Sequence, residues 1–201
     1  MRARPKRRGA RASSRRDEGS ALKGLAAGAI GGLAASFVMN QFQAAWAGRA
    51  AGEERSHGAQ SLQQGTPQKG VGRDLQAEGV DRPGDDATER LANAISVNVL
   101  ERELTEREKD AAGTVFHYAM GLTSGALYGA LAEFVPAAKS GAGLPFGMAV
   151  WAVADEGLVP AAGLSKSAGE YPLSIHAYSV ASHLVFGLTA ETVRRAVRAA
   201  L

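Results

Sequence analysis

The chain alternates between long stretches without any charged side chain and segments that are rich in charge. Residues 24–48, 111–132 and 171–190 contain no Asp, Glu, Lys or Arg over 25, 22 and 20 positions, respectively. A fourth stretch, 141–164, is apolar except for the adjacent pair Asp155 and Glu156. A helix needs about 20 predominantly apolar residues to cross the hydrocarbon core of a bilayer. The pattern therefore predicts an all-α fold, a four-helix transmembrane bundle.

The alternative is a soluble helical bundle rich in Ala and Gly. Helices that lack charge on every face are hard to explain at the surface of a soluble protein, which disfavours this alternative. Leu91, Ile95 and Val99 recur every four residues and predict an additional amphipathic helix in the first outer loop, on the membrane surface or against the bundle. The predicted segments are a disordered basic cytoplasmic head at 1–20, a transmembrane helix at 21–47, a disordered outer loop at 48–84, the amphipathic helix at 85–104, and transmembrane helices at 106–136, 141–164 and 172–198, the last with a basic cytoplasmic tail.

Two helix starts carry the sequence pattern of a capping box, in which the side chains of a cap residue and of the third residue after it bond to each other's backbone. Asp86 pairs in this way with Glu89, and Thr105 with Glu108. The second box predicts that the second membrane helix begins near Glu106 and projects beyond the bilayer.

The distribution of charge predicts how the bundle is oriented. Eight of the 23 basic residues lie between Arg2 and Arg16, and the chain also ends in a basic segment, whereas residues 49–110 carry nine basic and thirteen acidic residues. Basic segments flanking membrane helices stay in the cytoplasm. Both termini are therefore predicted to be cytoplasmic, in a multi-pass protein of the bacterial inner membrane. A rival interpretation is a signal sequence, with Ser14-Arg15-Arg16 as a twin-arginine element and cleavage after Ala47.

Small residues recur every four positions inside the predicted spans. Such rows allow helix backbones to approach closely, which drives helix association where lipid surrounds both partners. The sequence leaves open whether the rows act within one chain or between chains. The predicted packing glycines are Gly24, Gly28, Gly32, Gly121, Gly125, Gly129, Gly143, Gly147 and Gly187.

Ionisable side chains lie within or at the ends of the same spans. Because charge in the bilayer is costly, such groups face the bundle interior, where they pair or titrate. A metal site is not predicted, since histidines seven residues apart on one helix are separated by about 10.5 Å and cannot hold one ion. Proton handling and structural pairing remain the two interpretations. The candidate cluster comprises His117, Glu133, Asp155, Glu156, His176, His183 and Glu191.

Several functional classes are disfavoured by what the chain lacks. It has no cysteine, which excludes disulfides and thiolate chemistry. It has no phosphate-binding Gly-rich loop, no Gly-x-Ser-x-Gly element and no His-Glu-x-x-His element, so no enzymatic activity and no cofactor are predicted. The basic head lacks the interleaved aromatics of a nucleic-acid site, and no nucleic-acid partner is predicted.

Short motifs in all four spans occur together in one known group of proteins. The motifs are Val38-Met39-Asn40-Gln41-Phe42, His117 with Gly125-Ala126-Leu127-Tyr128-Gly129 and Ala132-Glu133-Phe134-Val135-Pro136, Gly143 and Gly147 with Pro160 and Gly163-Leu164, and Ser182-His183-Leu184-Val185-Phe186-Gly187 with Glu191 through Arg195. In these motifs the chain resembles the YagU-like family of small bacterial inner-membrane proteins. The resemblance implies a multi-span membrane protein and a link to acid tolerance, and it carries over no catalytic residue.

Taken together, these patterns predict an integral membrane protein without catalysis. In the primary hypothesis His117, Asp155 and His183, with Glu133, line a polar interior that handles protons or a small solute under acid or envelope stress. In the alternative, the protein is a structural or partner-binding membrane protein and its buried polar groups only lock the packing of helices. The expected partners are the lipid bilayer and either a second copy of the chain or another membrane protein.

Overall fold

The computed structural model describes residues 8–49 and 86–201, and every regular element in these ranges is helical, which confirms the predicted all-α class. Helix α1 spans Arg8–Arg49 and α2 spans Ala87–Ile95. Helix α3 spans Glu106–Phe134 and α4 spans Leu144–Val153. Helix α5 spans Leu173–Ala200. The predicted disordered loop at 48–84 lies outside the described residues except for its first two positions, which belong to α1.

The basic head differs from its prediction. Residues up to 20 are predicted to be disordered, but α1 already begins at Arg8. Ala and Arg are among the strongest helix formers, and a long helix that follows lets the preceding turns extend it without a new nucleus.

Helices α1 and α3 cross at almost the closest distance that two helices allow. Gly24 lies against Gly129, Gly28 against Gly125, and Gly32 against Gly121, so the two helices are antiparallel. A Cβ atom added at Gly24 would lie 2.5 Å from the backbone oxygen of Gly129. Only glycine permits this approach, because any side chain would collide with the facing backbone.

A second glycine crossing joins α4 to α5. A Cβ atom at Gly187 would lie 2.7 Å from the backbone nitrogen of Gly147, and one at Gly143 would lie 2.7 Å from the Cβ of Glu191. Gly143 also has φ of +87°, a left-handed conformation that disfavours other residues. Both crossings lie within one chain, so the structure uses the glycine rows for intramolecular packing.

Helix α1 packs on α5 as well as on α3. Gly31 of α1 lies against the backbone of Ala190, and Ala35 and Met39 form an apolar cluster with Phe186 of α5. The numbering again runs in opposite directions along the two helices, so α1 is antiparallel to both α3 and α5. The end of the bundle that contains Ser20, Glu133 and Arg198 is called the basic end here, and the opposite end is called the α2 end.

The segment between α3 and α5 is broken twice. A 3₁₀ segment, Pro136–Gly143, reverses the chain at the basic end, with positive φ at three consecutive residues, 141–143. After α4 the helix widens into a π turn, Ala154–Leu158, and ends in one short turn, Val159–Ala161. Pro160 lacks a backbone N–H and therefore cannot continue the regular hydrogen-bonding pattern.

Helix α2 packs against the bundle, one of the two locations predicted for it. Both capping boxes are confirmed: Asp86 accepts hydrogen bonds from the backbone of Thr88 and Glu89, and Thr105 from that of Glu108. Gly113 of α3 makes room for this packing, since a Cβ atom there would lie 3.0 Å from side-chain atoms of Thr88 and Glu89. The predicted helix 85–104 is shorter in the structure, because a π turn, Ser96–Leu100, leads to a left-handed residue at Glu101.

Large polar side chains are buried and many large apolar side chains are exposed, beside a small apolar core that includes Met39, Tyr128 and Phe186. Within the described ranges the largest fully buried side chains are all polar or charged, namely Arg90, Gln43, Glu191, Asn93, Asp86, Ser36 and Ser182. Large apolar side chains are instead exposed along the long helices, among them Ile30, Leu33, Phe37, Val115, Leu122, Leu127, Leu131 and Leu188. Soluble proteins bury side chains of this second type and expose those of the first.

One helix of the described residues is long and apolar enough to cross a bilayer by length and composition alone. It is Ser20–Trp46, with a mean hydropathy of 1.5 over its best window. A buried core helix or an N-terminal signal sequence can have the same length and hydropathy.

Candidate functional site

A pocket of about 90 Å³ lies between the helices and is partly open to the outside; residues of all five helices and of the π turn after α4 line it. It brings together three of the ionisable residues that the sequence singled out, His117, Asp155 and His183. Met39, Val150 and Phe186 contribute apolar walls, and no lysine or arginine is part of the lining.

The carboxylate of Asp155 is held by two residues of α5. The hydroxyl of Ser179 donates to Asp155 Oδ2 at 2.6 Å, and the Nδ1 atom of His183 lies 3.7 Å from the same oxygen. His183 is nearly buried, with 9 % of its side chain exposed, and Asp155 is 24 % exposed. The π turn that contains Asp155 carries its carboxylate to α5.

The hydrogen bond of His183 fixes which of its ring nitrogens carries a proton. Nδ1 lies 2.9 Å from the backbone oxygen of Ser179. Because a carbonyl oxygen only accepts, Nδ1 must donate, and the neutral ring then presents Nε2 as an acceptor. Nδ1 is thus the nitrogen that faces both the Ser179 carbonyl and the Asp155 carboxylate, and Nε2 is the acceptor of the neutral ring.

Two further polar atoms of the lining are buried without a hydrogen-bond partner among the described residues. These are the hydroxyl oxygen of Ser36 and the Nε2 atom of His117. Ser36 is 1 % exposed, and Gly121 permits it to approach α3. Buried polar atoms usually form hydrogen bonds with protein groups, water or a ligand, so these two atoms are available to a polar molecule in the pocket.

The first turn of α2 closes the pocket on the side of the α2 end. Ala87 and Thr88 are part of the lining, and Asp86 caps this turn. Arg90, which is fully buried, donates to the backbone oxygen of Leu164 at 3.0 Å and thereby ties α2 to the segment that follows α4. Asn93 accepts from the backbone of Leu104 at 3.1 Å and holds the other end of α2.

Glu156 and His176 form a separate pair outside this pocket. The Nδ1 atom of His176 lies 2.8 Å from Glu156 Oε1, and its Nε2 atom lies 3.0 Å from the backbone oxygen of Ala168. The pair connects the π turn after α4 to the first turn of α5, and both side chains are about a quarter exposed or less.

Glu191 lies towards the basic end, in a fully satisfied network. It accepts from Arg194 at 2.6 and 2.9 Å, from Arg195 at 2.5 Å and from the hydroxyl of Tyr128 at 2.9 Å. The same hydroxyl lies 3.2 Å from the backbone oxygen of Ala138, so the network joins α3, the 3₁₀ segment and α5. The local pairing of Glu191 with the arginines three and four residues later follows from helical spacing.

Glu133 is held at the basic end as well, and it does not line the pocket. Arg198 donates to its two carboxylate oxygens at 2.7 and 3.1 Å, and the hydroxyl of Ser20 donates at 2.5 Å. Lys23 of α1 donates to the backbone oxygen of Leu201. These contacts bring the start of the apolar part of α1 and the end of α5 together at the same end of the bundle.

The electrostatics at the start of α3, outside the charge-free stretch, are set by Glu108. Hydrogen bonds from the Arg102 guanidinium and from the backbone and hydroxyl of Thr105 lower the pKa of Glu108 to about 2. Arg102 donates to both of its carboxylate oxygens, at 2.8 and 3.1 Å. Glu108 is therefore ionised over the whole physiological range.

The seven predicted ionisable residues thus divide into three groups rather than one cluster. Sequence reasoning missed Ser36 as a pocket residue, although it belongs to the same row as Gly24, Gly28 and Gly32. It also missed Ser179 and Tyr128 as partners of the carboxylates, because neither carries charge. In the described ranges no three His, Asp or Glu side chains are placed so that they could hold one metal ion.

Comparison with known proteins gives one match. Residues 73–192 match the model of a family described as "Protein of unknown function (DUF1440)". This range contains α2 to α5 apart from the last turns of α5, and thus all of the pocket except the contribution of α1. No curated protein and no solved structure matches the chain.

Proposed function

Since the chain belongs to the DUF1440 family of proteins of unknown function, we propose its role from its own residues: an integral inner-membrane protein of four spans, whose interior pocket handles protons or a small polar solute. The single observation that carries the proposal is the burial of large polar side chains together with the exposure of large apolar ones. Arg90, Gln43 and Glu191 are buried, whereas leucines and phenylalanines are exposed on the helix surfaces. In a bilayer the apolar faces contact lipid, and polar groups satisfy one another inside.

The contacts at the basic end support a cytoplasmic location of both termini. The α1 residues Ser20 and Lys23 lie there with Leu201, which follows α5. The basic residues Lys139, Arg195 and Arg198 contact one another or Glu133 at the same end. Basic residues flank membrane helices on the cytoplasmic side. At the α2 end, the rings of Phe42, Trp46 and Tyr178 pack together, which suits the interface between lipid and water, where aromatic side chains are enriched.

Proton handling is assigned to the pocket because of the Asp155–His183 pair. The carboxylate lies 3.7 Å from one nitrogen of an imidazole whose other nitrogen is available as an acceptor. Imidazole and carboxylate side chains are the groups that most often accept and donate protons in proteins. No catalytic step is proposed. The proposal includes kinship with the YagU-like family and a role in acid or envelope stress, on the basis of the motifs shared with that family.

The alternative function is structural, and the other polar groups favour it. Glu133, Glu191 and the Glu156–His176 pair all have partners inside the protein. Such networks hold helices in one arrangement and need no substrate. A membrane protein of this kind would present its exterior to a second copy or to another protein.

Two measurements test the proposal. Carbonate extraction of membranes, with reporter fusions at both termini and in the loop near Gln64, tests the four spans; a chain that is extracted or processed after Ala47 contradicts them. For the pocket, Asp155→Asn and His183→Gln are reconstituted in vesicles with an internal pH dye. Loss of pH-dependent proton movement with an intact fold supports proton handling, whereas wild-type behaviour of both variants favours the structural alternative.

A further inference from the structure

We propose that the pocket between the five helices binds a small organic ammonium ion, that is, a protonated amine with a short alkyl chain. This inference rests on the proposed function, since it names the solute class of the same pocket. It is carried by the combination of one carboxylate, two unpartnered buried polar atoms and an apolar wall in a cavity of limited volume.

The charge of the lining selects a cation. Asp155 contributes a carboxylate, and none of the fourteen lining residues is Lys or Arg. An anion would meet this carboxylate without a compensating positive side chain from the lining. In a low-dielectric interior such repulsion is screened far less than in water.

The polar atoms of the pocket match the hydrogen-bonding capacity of a primary ammonium group, which has three N–H donors and no acceptor. Asp155 offers carboxylate oxygens, and the Ser36 hydroxyl and His117 Nε2 are buried without protein partners in the described part of the chain. An ammonium ion has one N–H donor for each of these groups. A bare metal ion fits less well, because no three His, Asp or Glu side chains of the described residues converge on one point.

The apolar part and the volume limit the rest of the ligand. Met39, Val150 and Phe186 offer a surface for a short hydrocarbon chain, and an aromatic ring attracts a cation over its face. On this measure one water-sized group needs about 10–15 Å³, so the pocket of about 90 Å³ takes a small ligand such as a short-chain alkylammonium ion.

The test is isothermal titration calorimetry on the full-length protein in lipid nanodiscs at neutral pH, with ethylammonium chloride, ethanol and sodium acetate as probes. Ethanol has the same number of non-hydrogen atoms as ethylammonium but no charge, and acetate carries the opposite charge. We expect saturable binding of ethylammonium that is at least tenfold tighter than that of ethanol, and no binding of acetate. Equal affinities for ethylammonium and ethanol, tighter binding of acetate, or no binding of any probe would overturn the proposal.

Variants then assign the binding to this pocket. Asp155→Asn is expected to weaken ethylammonium at least tenfold and to leave ethanol unchanged, and Ser36→Ala is expected to weaken ethylammonium several-fold. Glu156→Gln is the matched control, because its carboxylate is adjacent in sequence but outside the lining; it is expected to bind as the wild type does. If Asp155→Asn does not fold, the binding of ethylammonium to Ser36→Ala and to His117→Gln tests the site instead. Ethylammonium binding as tight as in the wild type in both variants overturns the proposal.

The experiment separates this inference from the proposed function. If the protein resists carbonate extraction and moves protons but binds no ethylammonium, only the proposed ligand class is wrong. If carbonate extracts the protein from the membrane, the four spans are wrong, whatever the calorimetry shows.

Discussion

The crossing of α1 and α3 depends on glycine at positions where the backbones touch, and replacing Gly28 by Ala tests this dependence. The added Cβ would lie 2.8 Å from Gly129 Cα and 2.9 Å from the carbonyl carbon of Gly125, and still closer to the oxygen of Gly125. These are backbone atoms of a continuous helix, so they cannot rotate away as a flexible side chain would. The two helices must separate until the contacts reach about 3.4 Å, the lower limit of ordinary contact.

The magnitude follows from two opposing effects. Overpacking of a tight interface costs about 1–3 kcal/mol. The cost lies in the upper half of this range, because the oxygen of Gly125 is so close that the crossing must open by about 1 Å or more, which forfeits about half of each dispersion contact. Ala stabilises a helix interior by about 0.5–1 kcal/mol relative to Gly, which offsets part of this loss. We therefore expect Gly28→Ala to lower the free energy of unfolding by about 1–2 kcal/mol.

The assay is unfolding of the purified protein in detergent by added SDS, followed by tryptophan fluorescence. Gly169→Ala is the control, because a Cβ atom at Gly169 has nothing within 4 Å. Gly125→Ala acts on the same crossing, so the double variant with Gly28→Ala should cost less than the sum of the single costs. A Gly28→Ala protein as stable as the wild type, or strictly additive costs, would refute the close crossing.

Further predictions concern the two charged networks. Glu191→Gln leaves Arg194, which is 3 % exposed, without its carboxylate, and it should lower the free energy of unfolding by about 3–5 kcal/mol in thermal unfolding. The side chain of Arg195 is 56 % exposed, so Arg195→Gln should cost less than about 1 kcal/mol. Equal effects of the two variants would contradict the network. The pKa of Glu108 is about 2 in the folded protein, below its usual 4.5, so its stabilisation is complete above about pH 4.5 and is lost as the pH falls towards 2. At about pH 6, hydrogen exchange at the start of α3 should therefore be slower in the wild type than in Glu108→Gln. Near about pH 2 the exchange rates of the two proteins should become equal. A difference in rate that does not change with pH would contradict this reasoning.

The glycine rows show how far the sequence predicts the fold. A row such as Gly24, Gly28 and Gly32 predicts that another helix approaches closely along it, because small residues at this spacing in apolar helices are typical of helix–helix contacts. It does not predict the partner, since the rows of α3, α4 and α5 have the same spacing. Only the three-dimensional arrangement assigns α1 to α3 and α4 to α5.

The candidate site shows the same division between local and long-range information. The pairing of Glu191 with Arg194 follows from helical spacing within one helix, so sequence reasoning could reach it. The contact between Asp155 and Ser179 depends on the π turn at Ala154–Leu158, which shifts the register of the side chains after Val153. The apolar pattern of 141–164 does not encode that shift. The sequence did lead to His117, Asp155 and His183 as residues of one interior site, but it also placed Glu133 there, which the structure holds at the basic end.

The hydropathy of α3 shows why the proposed membrane location is argued from side-chain exposure and not from an average over the sequence. Helix α3 carries Gly, Ser, Tyr and His on its inner face, and these residues lower its mean hydropathy. Its outer face presents Val115, Leu122, Leu127 and Leu131 to the surroundings. An average over the sequence mixes the two faces, whereas the exposure of each side chain separates them.

Labelling of two single cysteines tests the central claim most directly, because the native chain has no cysteine. Ser140→Cys lies in the exposed 3₁₀ segment at the basic end, and Gly169→Cys lies in the exposed turn before α5 at the α2 end. In intact cells a membrane-impermeant maleimide should label Gly169→Cys and should reach Ser140→Cys only after the cells are lysed. Equal labelling of both positions before lysis, or protection of both, would contradict a bundle that spans the membrane between these two ends.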